Sequence, residues 1–425
     1  MIMHAKARFS RDFVLVAIGQ IISIFGNQIL RYALPLYLLN QTGSSVLFGT
    51  ILASSFIPTV LLFPIGGILA DRVNKRNIMV ILDFSTAILI LFFYLMVGTI
   101  DILPLIAITM IVLCGIQGAY QPAVQASVPL LVEAEYIMQG NSIINLINSL
   151  ASMIGSVIGG ILFSIFGLTP ILYASMLCFF ASAVMEIFIH IPFEKKQTEG
   201  NILAIGYYDL KESFRFMIQE QPALLKIAFT FASINLFLTS LVLIGVPVII
   251  TQHLGFAPDT ANLLYGYAQG VMGAGAILGG VLAGALSKKL KLRWSPFFIC
   301  GCALSVLMSG VALHLFADQM NVYLILVLGC GILTALATLF QIQFMTSLQI
   351  VTPSDLIGKV IACVICIAMC TTPLGQFIYG FVFEHIGSLS FLPFYIASVI
   401  MIGLSVCTRH IFSGIDHMIE DHVKS

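Results

Sequence analysis

"GGILADRVNKRN", residues 66–77, interrupts an otherwise apolar chain with Asp71, Arg72, Lys75 and Arg76 directly behind Gly66 and Gly67. The setting makes that concentration of charge unusual. Of 425 residues, 59% are hydrophobic and 9% are charged, where an ordinary soluble domain carries about 25% charged residues. Mean hydropathy is +1.06. The formal net charge is zero, which gives no basis for a nucleic-acid partner. Apolar runs long enough to cross a bilayer recur on both sides of the stretch.

Working outward from it, twelve such runs lie at 13–39, 45–70, 77–98, 102–131, 141–166, 169–191, 223–250, 260–286, 294–316, 321–350, 356–383 and 389–409. Hydrocarbon offers the backbone no hydrogen-bond partners, so these runs predict helices. The ten-residue alternation of a membrane barrel is missing. Lys6, Arg8 and Arg11 before the first run look like the start of a signal peptide, but the run is too long and lacks a small-residue cleavage site. It reads as the first span. The fold class expected is an all-α membrane protein with the lipid bilayer as its solvent.

Basic residues set the orientation. With the N-terminus cytoplasmic, Lys6, Arg8, Arg11, Arg72, Lys75, Arg76, Lys195, Lys196, Lys211, Arg215, Lys226, Lys288, Lys289, Lys291, Arg293, Lys359, Arg409 and Lys424 all fall on that side. Of the 19 Lys and Arg, Arg31 alone lies elsewhere, inside the first span. A wrong helix count would scatter these charges over both faces. Both termini are therefore expected inside, in a multi-pass protein of the cell membrane.

The longest polar segment, 192–222, separates an N-terminal six-helix bundle (1–191) from a C-terminal one with a short tail (223–425). Within it Tyr207, Leu210, Phe214 and Met217 recur at helical spacing, which predicts an amphipathic helix along the inner membrane surface. "GGILA" (66–70) returns as "GGVLA" (279–283), again after the second span of its half, with "KKLK" preserving the basic tail. Two similar six-span halves are the pattern of many secondary transporters.

These residues carry a resemblance. Gly67, Leu69, Ala70, Asp71, Arg72, Lys75 and Arg76 resemble the major facilitator superfamily's signature between spans two and three, with Asn74 where a second glycine is usual. "QPAVQASVPLLV" (121–132), "GNSIINLINSLASMIGSVIGG" (140–160) and "DLKESFRFMIQEQP" resemble the macrolide-efflux branch of bacterial drug exporters, and exporters of siderophores and lipids share similar phrases. The resemblance implies two pseudo-symmetric bundles and a conformational switch at Gly67, Asp71, Arg72, Lys75 and Arg76. Asp71 would sit against the N-terminus of span eleven, where "TPSDLIG" (352–358) offers a capped start, and the helix dipole would favour its charge. Gly66 and Gly67 would permit close helix approach. Lys75 and Arg76 also serve topology by the positive-inside rule.

In that fold spans one, four, seven and ten line the cargo cavity, and each carries a polar stripe here. Span one has Gln20, Asn27 and Arg31; span four has Gln117, Gln121 and Gln125; span seven has Asn235 and Thr239; span ten has Thr334, Thr338 and Gln341. Each of these residues has an alternative use in hydrogen bonding between helices. Three ionisable residues lie within spans, where charge is costly and function is the default reading: Arg31, Asp83 and Glu186. Arg31 would meet an anionic cargo group, alternate with a proton, or snorkel. Asp83 is expected chiefly as a partner of the 71–76 cluster, with proton carriage as the alternative. Glu186 would carry a proton or reach the interface. The departures bear on coupling: Asn27 stands where many proton-driven exporters have an acid, span four lacks an arginine, and Ser156 replaces the proline of the antiporter signature in span five.

Other motifs point to packing. Nine cysteines lie within spans, and Cys363, Cys366 and Cys370 share a helix face without a histidine to complete a metal site. No nucleotide-binding loop is present and the histidines are scattered, so no cofactor, metal or enzymatic reaction is expected. The expected function is export of amphipathic, drug-like or macrolide-like molecules by alternating access and proton antiport, in a monomer. The alternatives are an exporter or flippase for a dedicated lipid, siderophore or metabolite, or a proton-coupled importer.

Overall fold

Among the described residues of the computed structural model, twelve helices are long and apolar enough to span a membrane, one for each apolar run of the sequence. The structure describes residues 10–133, 136–192, 215, 217–219, 222–286, 292–352 and 357–424. Most of the 192–222 segment, the "KKLK" stretch and residues 353–356 lie outside this set, and with them the amphipathic linker helix. The first six spans are α1 (Arg11–Thr42), α2 (Ser45–Arg72), α3 (Lys75–Met96), α4 (Ile102–Leu131), α5 (Ile137–Phe166) and α6 (Leu168–Ile187). The seventh runs through α7 (Pro222–Ile234), a π-turn at Asn235–Thr239, α8 (Ser240–Val248) and a second π-turn at Ile249–His253. The remaining five are α9 (Pro258–Ala285), α10 (Ser295–Leu315), α11 (Gln319–Val351), α12 (Ile357–His385) and α13 (Leu392–Lys424). No strand occurs among the described residues.

Local chemistry sets the helix boundaries. Asn74 caps α3 by accepting a hydrogen bond from the Arg76 backbone N–H at 3.0 Å, which gives the substituted signature position a use. Asp318 caps α11 through the Asn321 N–H at 2.9 Å. Five of the six connections that follow odd-numbered spans contain a glycine with positive φ, namely Gly43, Gly98, Gly167, Gly255 and Gly387. Only glycine takes that conformation without a Cβ penalty, so these reversals are short.

Membrane helices invert the usual burial pattern, and α3 shows it clearly. Ile81, Ile88 and Leu95 are exposed at seven-residue spacing, while Met79, Asp83, Thr86 and Ile90 are buried on the other side. Asp83 therefore faces the bundle interior rather than lipid.

Contacts group the chain into two compact units: Met1–Leu38 with Ser54–Glu199, and Leu39–Ala53 with Gly200–Ser425. In the first unit small residues bring helices together. A Cβ on Gly26 would lie 2.8 Å from Cys178 of α6, and one on Gly66 would lie 2.7 Å from the Ala119 Cα of α4. Gly67 has nothing within 4 Å of such an atom. The close approach expected of both glycines thus belongs to Gly66 alone, because α2 turns Gly67 away from α4.

In the second unit α9 crosses α11 where Gly275 and Gly279 meet the carbonyls of Gly331 and Ala335. The seventh span is fastened to α12 by Ser240 Oγ to the Thr372 carbonyl (3.1 Å), Thr371 Oγ1 to the Ala232 carbonyl (3.0 Å) and Tyr379 OH to the Phe237 carbonyl (2.9 Å). The last of these bonds reaches into the first π-turn. Residues Leu39–Ala53, which the sequence assigns to the N-terminal bundle, group with this unit. Asn40 Nδ2 donates to Asn262 Oδ1 at 2.9 Å, and the Val46 N–H in the first turn of α2 donates to Glu384 Oε2 at 3.2 Å. That carboxylate satisfies a helix-end donor and favours the positive end of the dipole.

Candidate functional site

The interior of the first unit holds a polar cluster that four helices assemble. Gly19 and Gly26 of α1 let α6 approach closely, and serines of α6 tie the two backbones together. Ser182 Oγ donates to the Gly19 carbonyl at 3.1 Å and Ser175 Oγ to the Gly26 carbonyl at 2.9 Å. This contact sets Gln20 and Ser23 beside the neighbouring helices. Gln20 Nε2 donates to the Tyr120 hydroxyl at 2.6 Å, and that hydroxyl donates to Glu186 Oε1 at 2.7 Å. Ser23 Oγ donates to Asp83 Oδ1 at 3.1 Å. Gln20 and Glu186 are fully buried and Asp83 is 2% exposed.

A cavity of about 20 Å³ adjoins the cluster, lined by Ser23, Asn27, Asp83, Thr86, Tyr120 and Gln121 among others. Roughly 10–15 Å³ suffices for one water-sized particle. Gln117 lies on the same wall. Its Oε1 accepts from Arg31 Nη1 at 3.2 Å, where both side chains are open. Spans one and four thus bring Gln20, Asn27, Arg31, Gln117 and Gln121 into one neighbourhood. Gln125 is exposed, one turn beyond it.

Elsewhere the expected site does not assemble in this way. Thr334 Oγ1 donates to the Met272 carbonyl at 2.9 Å, and Thr338 Oγ1 to the Thr334 carbonyl at 2.8 Å. Both threonines pack on the glycines of α9, so they follow the helix-bonding alternative. Asn235 Nδ2 donates to the Phe231 carbonyl at 3.0 Å within its own span, and Thr239 ends the same π-turn. Gln341 is exposed.

Asp83 also departs from expectation. It accepts its hydrogen bond from Ser23 of α1 rather than from the 71–76 cluster, whose nearest member, Arg76, stands seven residues, about 10 Å, back along the helix. Lys75 is itself buried and Arg72 half-buried. The Asp71 side chain and residues 353–356 fall outside the described set, and so does the proposed switch contact. Glu186 lies in the last turn of α6, which stops at Ile187 rather than 191. Sequence reading missed Ser23 and Tyr120. The signal was present: Ser23 sits three residues after Gln20 and four before Asn27, and Tyr120 three after Gln117.

Residues 16–370 match the Major Facilitator Superfamily. The chain belongs to that superfamily. It is an integral membrane protein of a secondary-transporter family whose members are typically carriers rather than enzymes. Within the superfamily it is 25% identical over 388 residues to the uncharacterized MFS-type transporter YfiS of Bacillus subtilis, covering 91% of this chain and 90% of that protein. It is 22% identical over 325 residues to macrolide efflux protein A of Streptococcus pyogenes, covering 72% and 74% respectively. A solved peptide transporter, POT in complex with alafosfalin, superposes with a TM-score of 0.73 at 13% identity, over 96% of this chain and 95% of that one. That likeness establishes the major facilitator fold.

Proposed function

We propose that the protein exports amphipathic, largely apolar small molecules from the cell by alternating access, in exchange for protons, as a monomer in the cell membrane with both termini inside. The observation that carries this reading is the amide-rich wall of α1 and α4, where Asn27, Gln117 and Gln121 stand close together and Arg31 adds a single fixed charge. Amides both donate and accept, so such a wall suits cargo of varied shape better than one charged ligand. The likeness to macrolide efflux protein A supports the direction and the class of cargo. The buried carboxyls Asp83 and Glu186 support proton exchange, with Arg31 as the cation that cargo or proton would meet. Gly67, Asp71, Arg72, Lys75 and Arg76 form the conformational switch.

The test is accumulation of fluorescent amphiphiles and macrolides in cells expressing the protein or its Asp71→Asn variant, with and without a protonophore. Export predicts at least threefold lower accumulation that requires both Asp71 and the proton gradient. Higher accumulation on expression would sink the proposal in favour of import.

A further inference from the structure

Span seven departs from α-helical winding at Asn235–Thr239, and a cavity of about 140 Å³ lies against that turn in the second unit. A π-turn closes its hydrogen bonds five residues apart instead of four, so it widens the helix locally. α12 meets the turn at close range. A Cβ on Gly375 would lie 2.5 Å from the Leu236 carbonyl oxygen and would also meet Ser240 Oγ. One turn further on, the Tyr379 hydroxyl donates to the Phe237 carbonyl at 2.9 Å. Leu236, Phe237, Gly375 and Tyr379 make the floor of the cavity, with Val382 of α12 and Pro393 of α13 at its sides.

The surroundings show where it opens. One turn nearer the α12–α13 connection, the buried Phe383 ring packs between Tyr379 and Phe394, with centroids 6.4 and 6.5 Å away. Close packing shuts the cavity on that side. Its mouth is made by Ile378 and Ile396, each 51% exposed. Leu374, Phe377, Phe381 and Val399 beside them are exposed too. In spans of this length and hydropathy such faces meet lipid. The cavity is therefore continuous with the surface that α12 and α13 present to hydrocarbon.

Chemistry narrows the occupant. Among the described residues every lining side chain is apolar except Tyr379, whose hydroxyl is committed to the Phe237 carbonyl. A polar group that entered would find no free side-chain partner and would lose its bonds to water. Apolar cavities of about 150 Å³ stay dry and accept hydrocarbon of the size of benzene. Position narrows it further. Gly375 stands near the middle of the span Cys363–His385, and Val382 stands three residues from its end. The seven residues between them cover about 10 Å of helix, against about 15 Å of hydrocarbon in one leaflet. The cavity thus runs from the midplane toward one interface, the direction in which a lipid tail lies.

We propose that this cavity, between α12, α13 and the first π-turn of span seven, binds the end of one acyl chain of a membrane phospholipid. The chain comes from the leaflet on the side of the α12–α13 connection. It fills the space behind Leu236 and Phe237 and so braces the π-turn from its lipid side. The binding needs neither cargo nor a gradient, so it stands or falls separately from the export reading.

The experiment reconstitutes the purified full chain in phosphatidylcholine vesicles with a trace of phosphatidylcholine carrying a diazirine at the end of one acyl chain. After illumination, labelled residues are mapped by peptide mass spectrometry. A lodged chain labels the buried Tyr379 at least fivefold more than Phe394, which is equally buried but outside the cavity. Lipid that only slides over the surface labels Phe377, Ile378 and, on α3, Ile88, and spares Tyr379. Val382→Phe fills the cavity from its side and should cut labelling of Tyr379 at least fivefold while leaving Ile88 unchanged. If that variant does not yield folded protein, Ile378→Trp, at the exposed mouth, should have the same effect. Absence of label on Tyr379 in the unaltered chain, or equal label in the chain and these variants, overturns the proposal. Label on Tyr379 from a diazirine on a soluble amphiphile, with none from the lipid, would assign the cavity to cargo and overturn it as well.

Discussion

The two units use similar polar side chains for opposite purposes. In the first, Gln20, Ser23, Asp83, Tyr120 and Glu186 bond to one another across four helices and leave three oxygens unpartnered. In the second, Thr334, Thr338, Ser240 and Thr371 donate to backbone carbonyls, and the helices close over them. Hydroxyls that bond to backbone carry no charge. Carboxyls that face amides and hydroxyls can change protonation or accept an ion. The repeat that relates "GGILA" to "GGVLA" does not extend to this chemistry: among the described residues the two buried carboxyls, Asp83 and Glu186, both belong to the first unit.

Three substitutions would break or sharpen that contrast. The largest effect is expected for Gly275→Leu in the second unit. Its side chain would enter the crossing where the Gly331 carbonyl and Thr334 already meet the Gly275 backbone. Overpacking of this kind costs about 1–3 kcal/mol and more where backbone must move. Folded protein recovered by size-exclusion chromatography should fall at least fivefold; normal recovery would mean that the α9–α11 crossing is looser than the structure shows.

Next comes Tyr120→Phe in the first unit. It preserves the ring but leaves Gln20 Nε2 and Glu186 Oε1 without partners, a loss of about 1–3 kcal/mol per buried group. Melting temperature in detergent should drop by several degrees, and gradient-driven transport should drop about tenfold in the accumulation assay. A variant that keeps both properties would remove Tyr120 from the coupled cluster.

The smallest effect belongs to the double variant Thr334→Val and Thr338→Val. Their hydroxyls serve local backbone carbonyls, and each such bond is worth about 0.5–1.5 kcal/mol. Cargo profile should stay within twofold of the unaltered chain. A changed profile would return these threonines to the cargo wall and erase the difference between the units.

How much of this was legible in the sequence varies by residue. Gln20, Asn27, Gln117 and Gln121 stood out because polar groups at helical spacing are rare in spans, and helix geometry alone puts them on one face. Thr334 and Thr338 satisfied the same spacing rule, yet they face α9. A stripe states which residues share a face, not which neighbour that face meets. Gly66 and Gly67 were equivalent on paper for the same reason, and the crossing with α4 separated them.

The sequence by itself determined the twelve apolar spans and their helical nature. Those follow from apolar length and from the lack of backbone partners in hydrocarbon, both of which are local along the chain. The tertiary structure alone decided that Asp83 meets Ser23 rather than the 71–76 cluster. It also decided that Tyr120 links Gln20 to Glu186, and that residues 39–53 group with the second unit. The three hydrogen bonds join positions 60 to 100 residues apart. They depend on the rotation of each helix about its own axis, which packing against small residues fixes and sequence spacing does not encode.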